Sequence, residues 1–90
     1  MLQTISITVS GKVQGVYFRQ SAKEKAQELG ITGEIKNQPN GNVFVIASGT
    51  KEQLDNFVLW CKLGPSRAVV NSVITADEVF RQFEKFRIVR

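Results

Sequence analysis

The ninety-residue chain has no histidine and a single cysteine, Cys61. One thiol forbids an intramolecular disulfide, and one thiol among scattered carboxylates is a poor set of transition-metal ligands. No cofactor is expected. No segment is long enough to span a membrane. The start, Met1-Leu2-Gln3-Thr4, lacks the basic head and apolar run of a signal peptide, so a cytoplasmic protein is expected. Dense charge is missing too: the formal net charge is +4, with the basic residues scattered. Such a balance suits a small anionic ligand or a weak nucleic-acid contact and decides neither. Linkers, repeats and low-complexity runs are absent. Residues 1–90 are expected to form one domain, large enough to bury a core without staples.

What is present has clear periodicity. Ile5, Ile7 and Val9 alternate with Thr4, Ser6, Thr8 and Ser10, which predicts a half-buried strand from about Gln3 to Ser10. Phe18, Ala22, Ala26 and Leu29 fall on one face of a helix that Gly30 is placed to stop. Ile31 to Asn37 reads as a second strand, Pro39-Asn40-Gly41 as a turn, and Asn42 to Ser48 as the returning strand. Thr50-x-x-Gln53 has the form of a capping box. The helix that follows turns Leu54, Phe57, Val58 and Cys61 inward, and Gly64-Pro65 ends it. Ala68 to Thr75 and Phe86 to Val89 read as two further strands. The expected fold is α+β: a ferredoxin-like split β-α-β sandwich, with two helices on one face of an antiparallel sheet. Cys61, Trp60 and the phenylalanines are expected in the core rather than in a ligand platform.

The stretch Gly11-Lys12-Val13-Gln14-Gly15-Val16-Tyr17-Phe18-Arg19 joins the first strand to the first helix. Its two glycines free the backbone to curl, so that successive N–H groups can face inward and feed a helix N-terminus. Such a concave row of amides binds anions. Arg19 stands where the helix starts, and its planar fork can hold two phosphate oxygens at once. The same residues also fit an ordinary strand–loop–helix junction with a solvated arginine. The established phosphate motifs do not apply, because the loop lacks the Gly-Lys-Ser/Thr ending of a nucleotide P-loop and the spacing of a dinucleotide fingerprint. No cysteine precedes the loop, which excludes a phosphocysteine mechanism. Asn37, read by itself, is a turn asparagine bonding its own backbone.

The pattern Gly-x-Val-Gln-Gly-Val-x-Phe-Arg, met at every fixed position by residues 11–19, resembles the signature of the acylphosphatase family. A second stretch is similar to that family as well: Leu29-Gly30-Ile31-x-Gly33-x-Ile35-x-Asn37, then Asn40-Gly41-x-Val43. Leu54, Phe57, Trp60, Gly64-Pro65-x-x-Ala68-x-Val70, Phe83, Phe86 and Ile88 extend the likeness over essentially the whole chain. The resemblance implies metal-free hydrolysis of an acyl phosphate to carboxylate and inorganic phosphate. Arg19 would bind the phosphoryl group, and the backbone amides of Gln14, Gly15, Val16, Tyr17 and Phe18 would complete the cradle. Asn37 would orient the attacking water, since an amide offers donor and acceptor without titrating. The partners it implies are a small acyl phosphate and inorganic phosphate as product and competitive inhibitor. No membrane or nucleic-acid partner is implied, and a monomer is expected.

Two other classes stand beside this one. One is a non-catalytic module that recognises phosphate or carbamoyl phosphate. The other is an RNA-binding ferredoxin-like sheet, although Gly41-Asn42-Val43-Phe44-Val45-Ile46 carries one aromatic and not an RNP1 pattern. Two positions depart from many relatives of the family: Glu34, where tryptophan is frequent, and Asn40-Gly41, where Asp-Gly is. Asn-Gly is an equally good hairpin turn. Glu34 alternates away from Ile35 and Asn37, yet its charge could lower the positive potential of the site. Lys12 and Lys36, which flank the two motifs, read as solvated lysines.

Overall fold

The computed structural model describes all of residues 1–90. In chain order the elements are β1 (Leu2–Lys12), α1 (Phe18–Leu29), β2 (Thr32–Asn37), β3 (Val43–Thr50), α2 (Lys51–Leu63), β4 (Val69–Glu78) and β5 (Phe86–Ile88). The strands form one sheet in the order β4-β1-β3-β2-β5. Both helices pack on it, and the α+β, ferredoxin-like architecture is as expected. The sheet is antiparallel in its first four strands, but β5 lies parallel to β2. The expectation of a wholly antiparallel sheet therefore needs this correction. Strand β5 reaches β2 from a long connection rather than a tight turn, and nothing in such a connection dictates antiparallel pairing.

Period-two burial explains how the layers meet. Ile7 and Val9 of β1, Ile35 of β2, and Val43, Val45 and Ala47 of β3 are buried in the core. Phe18, Ala22 and Ala26 of α1 and Leu54, Phe57 and Cys61 of α2 join them there. Phe57 packs edge-on against Phe86 at 6.0 Å between ring centroids, and Trp60 lies against Phe18 at 5.4 Å. Burying a side chain of this size stabilises by about 1.5–3 kcal/mol, so this aromatic row ties α1, α2 and β5 together. Phe44, Phe80 and Phe83 depart from the expectation that every phenylalanine is core: they lie outside the core cluster, and Phe80 is 47% exposed.

The polar face of β1 was expected to meet water, and at its start it does not. Thr4 and Ser48 are buried. Their hydroxyls bond each other at 2.6 Å, Ser48 Oγ donates to the Arg81 carbonyl at 2.6 Å, and the Arg81 N–H donates to Thr4 Oγ1 at 2.9 Å. The segment leading to β5 thus crosses this end of the sheet, and hydroxyls are tolerated beneath it because they are satisfied.

The register of three strands fixes the position of the site. Val9 pairs with Val43, and Val43 pairs with Asn37. Asn37 therefore ends a cross-strand row at the edge of the sheet from which β1 runs into its loop. Strands lie about 4.8 Å apart, so two steps across the sheet leave a gap of about 10 Å, which the loop after β1 covers.

Candidate active site

The loop between β1 and α1 is held from below. Val13 and Val16 are buried, 1% and 3% exposed, so two of its side chains are seated in the core. Gly15 has φ 73° and Tyr17 has φ 67°, with Val16 between them. Tyr17 is the only non-glycine residue of the chain with positive φ. Such a conformation is uncommon outside glycine, costs on the order of 1–3 kcal/mol and clusters at functional sites. Left-handed residues can turn neighbouring N–H groups to one side, the geometry of an anion-binding nest.

Gly15 and Gly11 do different things here. A Cβ on Gly15 would meet no protein atom within 4 Å, so glycine is suited to that position by its φ and its open side. Gly11 does not belong to the loop at all, which corrects the reading of two loop glycines. It lies within β1, at φ 124°, where the pairing with β4 shifts register after Ser10. A Cβ there would collide with the Val69 carbonyl, which fits the use of glycine at bulges.

Helix α1 starts without a cap. Tyr17 stands at its N-cap and makes no side-chain cap hydrogen bond, and the first turn has no acidic residue. The first N–H groups of a helix have no partner within the helix, and together with the helix dipole they favour an anion. Arg19 lies in this first turn. It takes no part in the ion pairs, which are Lys25–Glu28, Lys51–Asp55 and Arg87–Glu34.

A cavity of about 380 Å³ opens at this point, lined by Gln14, Gly15, Tyr17, Phe18, Arg19 and Asn37, with Val13, Gln20, Ile88 and Arg90 completing the wall. Its volume is in the range of small-ligand sites. The structure thus brings together Arg19, Asn37 and the predicted loop residues, apart from Val16, whose side chain is turned into the core. No Asp or Glu lines the cavity, whereas two arginines do.

Asn37 has an unusual feature of its own. Its Oδ1 is buried and has no hydrogen-bond partner. A buried acceptor left unpaired costs about 1–3 kcal/mol, and it is the only side-chain polar atom of the protein in that condition. The turn asparagine that bonds its own backbone is instead Asn40, whose Oδ1 accepts from the Asn42 N–H at 3.1 Å.

Three further expectations can be placed. Lys12 and Lys36 do not line the cavity. Glu34 points away from it, as the alternation predicted, and pairs with Arg87 of β5 at 2.7 Å. Its charge is met on the far face and does not enter the cavity wall. Cys61 is fully buried in α2, where burial pushes its thiol up to about 12 from 9.0. A thiol so disposed is inert. Arg90 and Ile88 were missed by the sequence reading, as they reach the cavity only through the parallel pairing of β5. Ile88 aligns with Ile35, and Arg90 follows two residues beyond it.

Comparison with known proteins shows the family. The profile of the acylphosphatase family matches residues 5–88. An acylphosphatase of Marinobacter nauticus is 46% identical over 82 residues, covering 90% of this chain and 89% of that protein. Among solved structures, an acylphosphatase from Coxiella burnetii superposes with a TM-score of 0.95 at 39% identity, covering 98% of this chain and 93% of the other. The acylphosphatase of Bacillus subtilis gives a TM-score of 0.95 at 31% identity, with complete coverage of both chains. A signature loop entering an uncapped helix, a match over almost the full length and superposition on solved relatives lead to one conclusion: the chain is an enzyme of the acylphosphatase family.

Proposed function

We propose that the protein hydrolyses a carboxyl–phosphate mixed anhydride to a carboxylate and inorganic phosphate, with no metal and no covalent intermediate. The water oxygen attacks phosphorus. The bond from phosphorus to the acyl oxygen breaks, and its electron pair leaves on the carboxylate. The proton of the water passes to a phosphate oxygen or to solvent. A carboxylate is a stable leaving group, so the reaction needs no general acid, in keeping with a wall that offers no Asp, Glu or His.

Phosphoryl transfer asks the protein mainly for position and electrostatic stabilisation. In this reading the amides of Gln14 to Phe18 and the fork of Arg19 hold the equatorial oxygens as charge redistributes. Asn37 holds the water in line with the breaking bond. The observation that carries the reading is the unpartnered Oδ1 of Asn37 in the same cavity as Arg19 and the open N-terminus of α1. The χ2 torsion of asparagine is soft, so a small rotation turns that acceptor toward a water in the cavity and relieves its deficit. Every group required comes from one chain, so a monomer suffices. Inorganic phosphate, the product, is expected to compete with substrate.

The test is the initial rate on an aryl acyl phosphate with EDTA present, wild type beside Arg19→Ala. Turnover by the wild type and its loss in the variant are expected. A phosphate-recognising module without catalysis would bind phosphate and show no turnover. Loss of wild-type activity with EDTA, restored by a divalent ion, would overturn the metal-free mechanism.

A further inference from the structure

The side chain of Gln14 does something that the phosphate cradle does not explain. Its amide nitrogen donates to two carbonyls at once, those of Gln38 and Asn42, each at 2.8 Å. Both hydrogens of the NH₂ group are thereby used. The two acceptors close the β2–β3 hairpin: the Gln38 N–H donates to the Asn42 carbonyl at 2.8 Å, and the Gly41 N–H donates to the Gln38 carbonyl at 3.1 Å. Gln38 directly follows Asn37, and Asn42 directly precedes Val43, the cross-strand partner of Asn37. One side chain of the phosphate loop is therefore bolted to the carbonyls on both sides of the turn that carries Asn37.

Resting on the function proposed above, we infer that Gln14 is a positioning residue: its side chain sets the distance between the phosphate cradle and Asn37. The loop and the hairpin belong to separate parts of the chain, and β1 and β2 are not neighbours in the sheet. The in-line geometry of water and phosphorus spans that boundary. Misplacement by about 1 Å can cost on the order of a hundredfold in rate, so a bond pair across the boundary has kinetic consequences even though it touches neither substrate nor water. Glutamine suits the task because it offers two donors at the end of a three-carbon reach. Glutamate, the same in shape, offers none while ionised.

A double-mutant cycle on kcat tests the inference, with Gln14→Ala, Asn37→Ala and their combination. Gln14→Ala is expected to lower kcat about ten- to a hundredfold, while the Kd for inorganic phosphate, measured by calorimetry, changes less than about threefold. In the Asn37→Ala background the same substitution is expected to cost almost nothing, because nothing remains to be positioned. Losses that multiply independently, or a fall in phosphate affinity equal to the fall in kcat, would overturn the proposal. If Gln14→Ala does not fold, Gln14→Glu gives a second route. Its carboxylate would face two carbonyls, which raises its affinity for a proton, and the protonated form regains one donor. Its kcat relative to wild type should rise as the pH is lowered, and a flat ratio would refute the clamp. Full activity in Asn37→Ala itself would instead refute the role of Asn37, so the two failures are distinguishable.

Discussion

The two helices of this protein begin in opposite ways. At α2, Thr50 Oγ1 accepts from the Gln53 N–H at 3.1 Å, and Gln53 Oε1 accepts from the Thr50 N–H at 2.8 Å. Glu52 adds a negative charge in the first turn. That end is satisfied by its own residues, as a helix start usually is. At α1 the N-cap is a tyrosine in the left-handed region with no cap bond, and no acid stands in the first turn. A side chain thus covers the Gln53 N–H at the start of α2, whereas no side chain caps the start of α1. The difference teaches where to look for a ligand: an uncapped end beside a strained residue is a place where a partner from outside can bind.

If the open end of α1 is a phosphate site, its arginine carries the largest effect. Arg19→Ala is expected to reduce kcat/KM on the order of a thousandfold while the circular dichroism spectrum and cooperative melting persist. Arg19→Lys should recover little, since lysine restores the charge but not the planar fork. A lysine variant near wild-type rate would show that net charge alone matters there.

Asn37 comes next. Asn37→Ala is expected to lower kcat on the order of a hundredfold with little change in the Ki of inorganic phosphate. Equal losses in both would mean that Asn37 binds phosphate rather than water. The variant should also lose little stability, because the side-chain oxygen it removes is an unpaired one.

Binding alone sharpens the comparison further. Phosphate at about ten times its Kd stabilises a native-only site by roughly 1.4 kcal/mol, and each kcal/mol raises Tm by about 4–8 °C in a domain of this size. Phosphate should therefore raise Tm saturably, and chloride at equal ionic strength should not. Arg19→Ala should lose most of the shift and Asn37→Ala should keep it. Opening the other helix gives the control. Thr50→Ala removes the cap of α2 and should cost about 1 kcal/mol, measured by urea unfolding. It should leave kcat unchanged and create no second phosphate response, because α2 has neither the left-handed loop nor the arginine.

The smallest effect concerns Cys61. Its folded-state thiol is raised to about 12 from 9.0 by burial, so the unfolded chain loses its proton first as the pH rises. Stability from this group is constant below about pH 9 and declines between there and about pH 12. Cys61→Ala should show a shallower alkaline decline in urea-unfolding stability than wild type, and activity at neutral pH should resist alkylating reagents in the folded protein. Rapid inactivation by such a reagent without unfolding would contradict the buried position.

Local signals were legible wherever a residue answers to its own neighbours. The capping box at Thr50 and Gln53, the stop at Gly30, the inward faces of both helices and the alternation of β1 follow from periods of two and 3.6 and from turn chemistry. The candidate loop was legible because its residues are contiguous; the resemblance of residues 11–19 to a family signature suggested a role for Arg19, and the likeness of residues 29–37 suggested one for Asn37. Gly11 was misplaced into the loop because its constraint is the Val69 carbonyl on β4, far away in sequence.

What the sequence by itself determined is therefore the elements, the loop that feeds the first helix and the candidate residues. Tertiary structure alone decided how they meet. The pairing of Val9 with Val43 and of Val43 with Asn37 brings the water-orienting candidate to the edge that carries the loop. The parallel pairing of β5 with β2 adds Ile88 and Arg90 to the wall and gives Glu34 its partner Arg87. Gln14 looks like one more loop residue until the hairpin carbonyls come within 2.8 Å of its amide. These contacts join residues distant along the chain, and a one-residue slip in register would turn each of them to the other face; no local pattern carries that information.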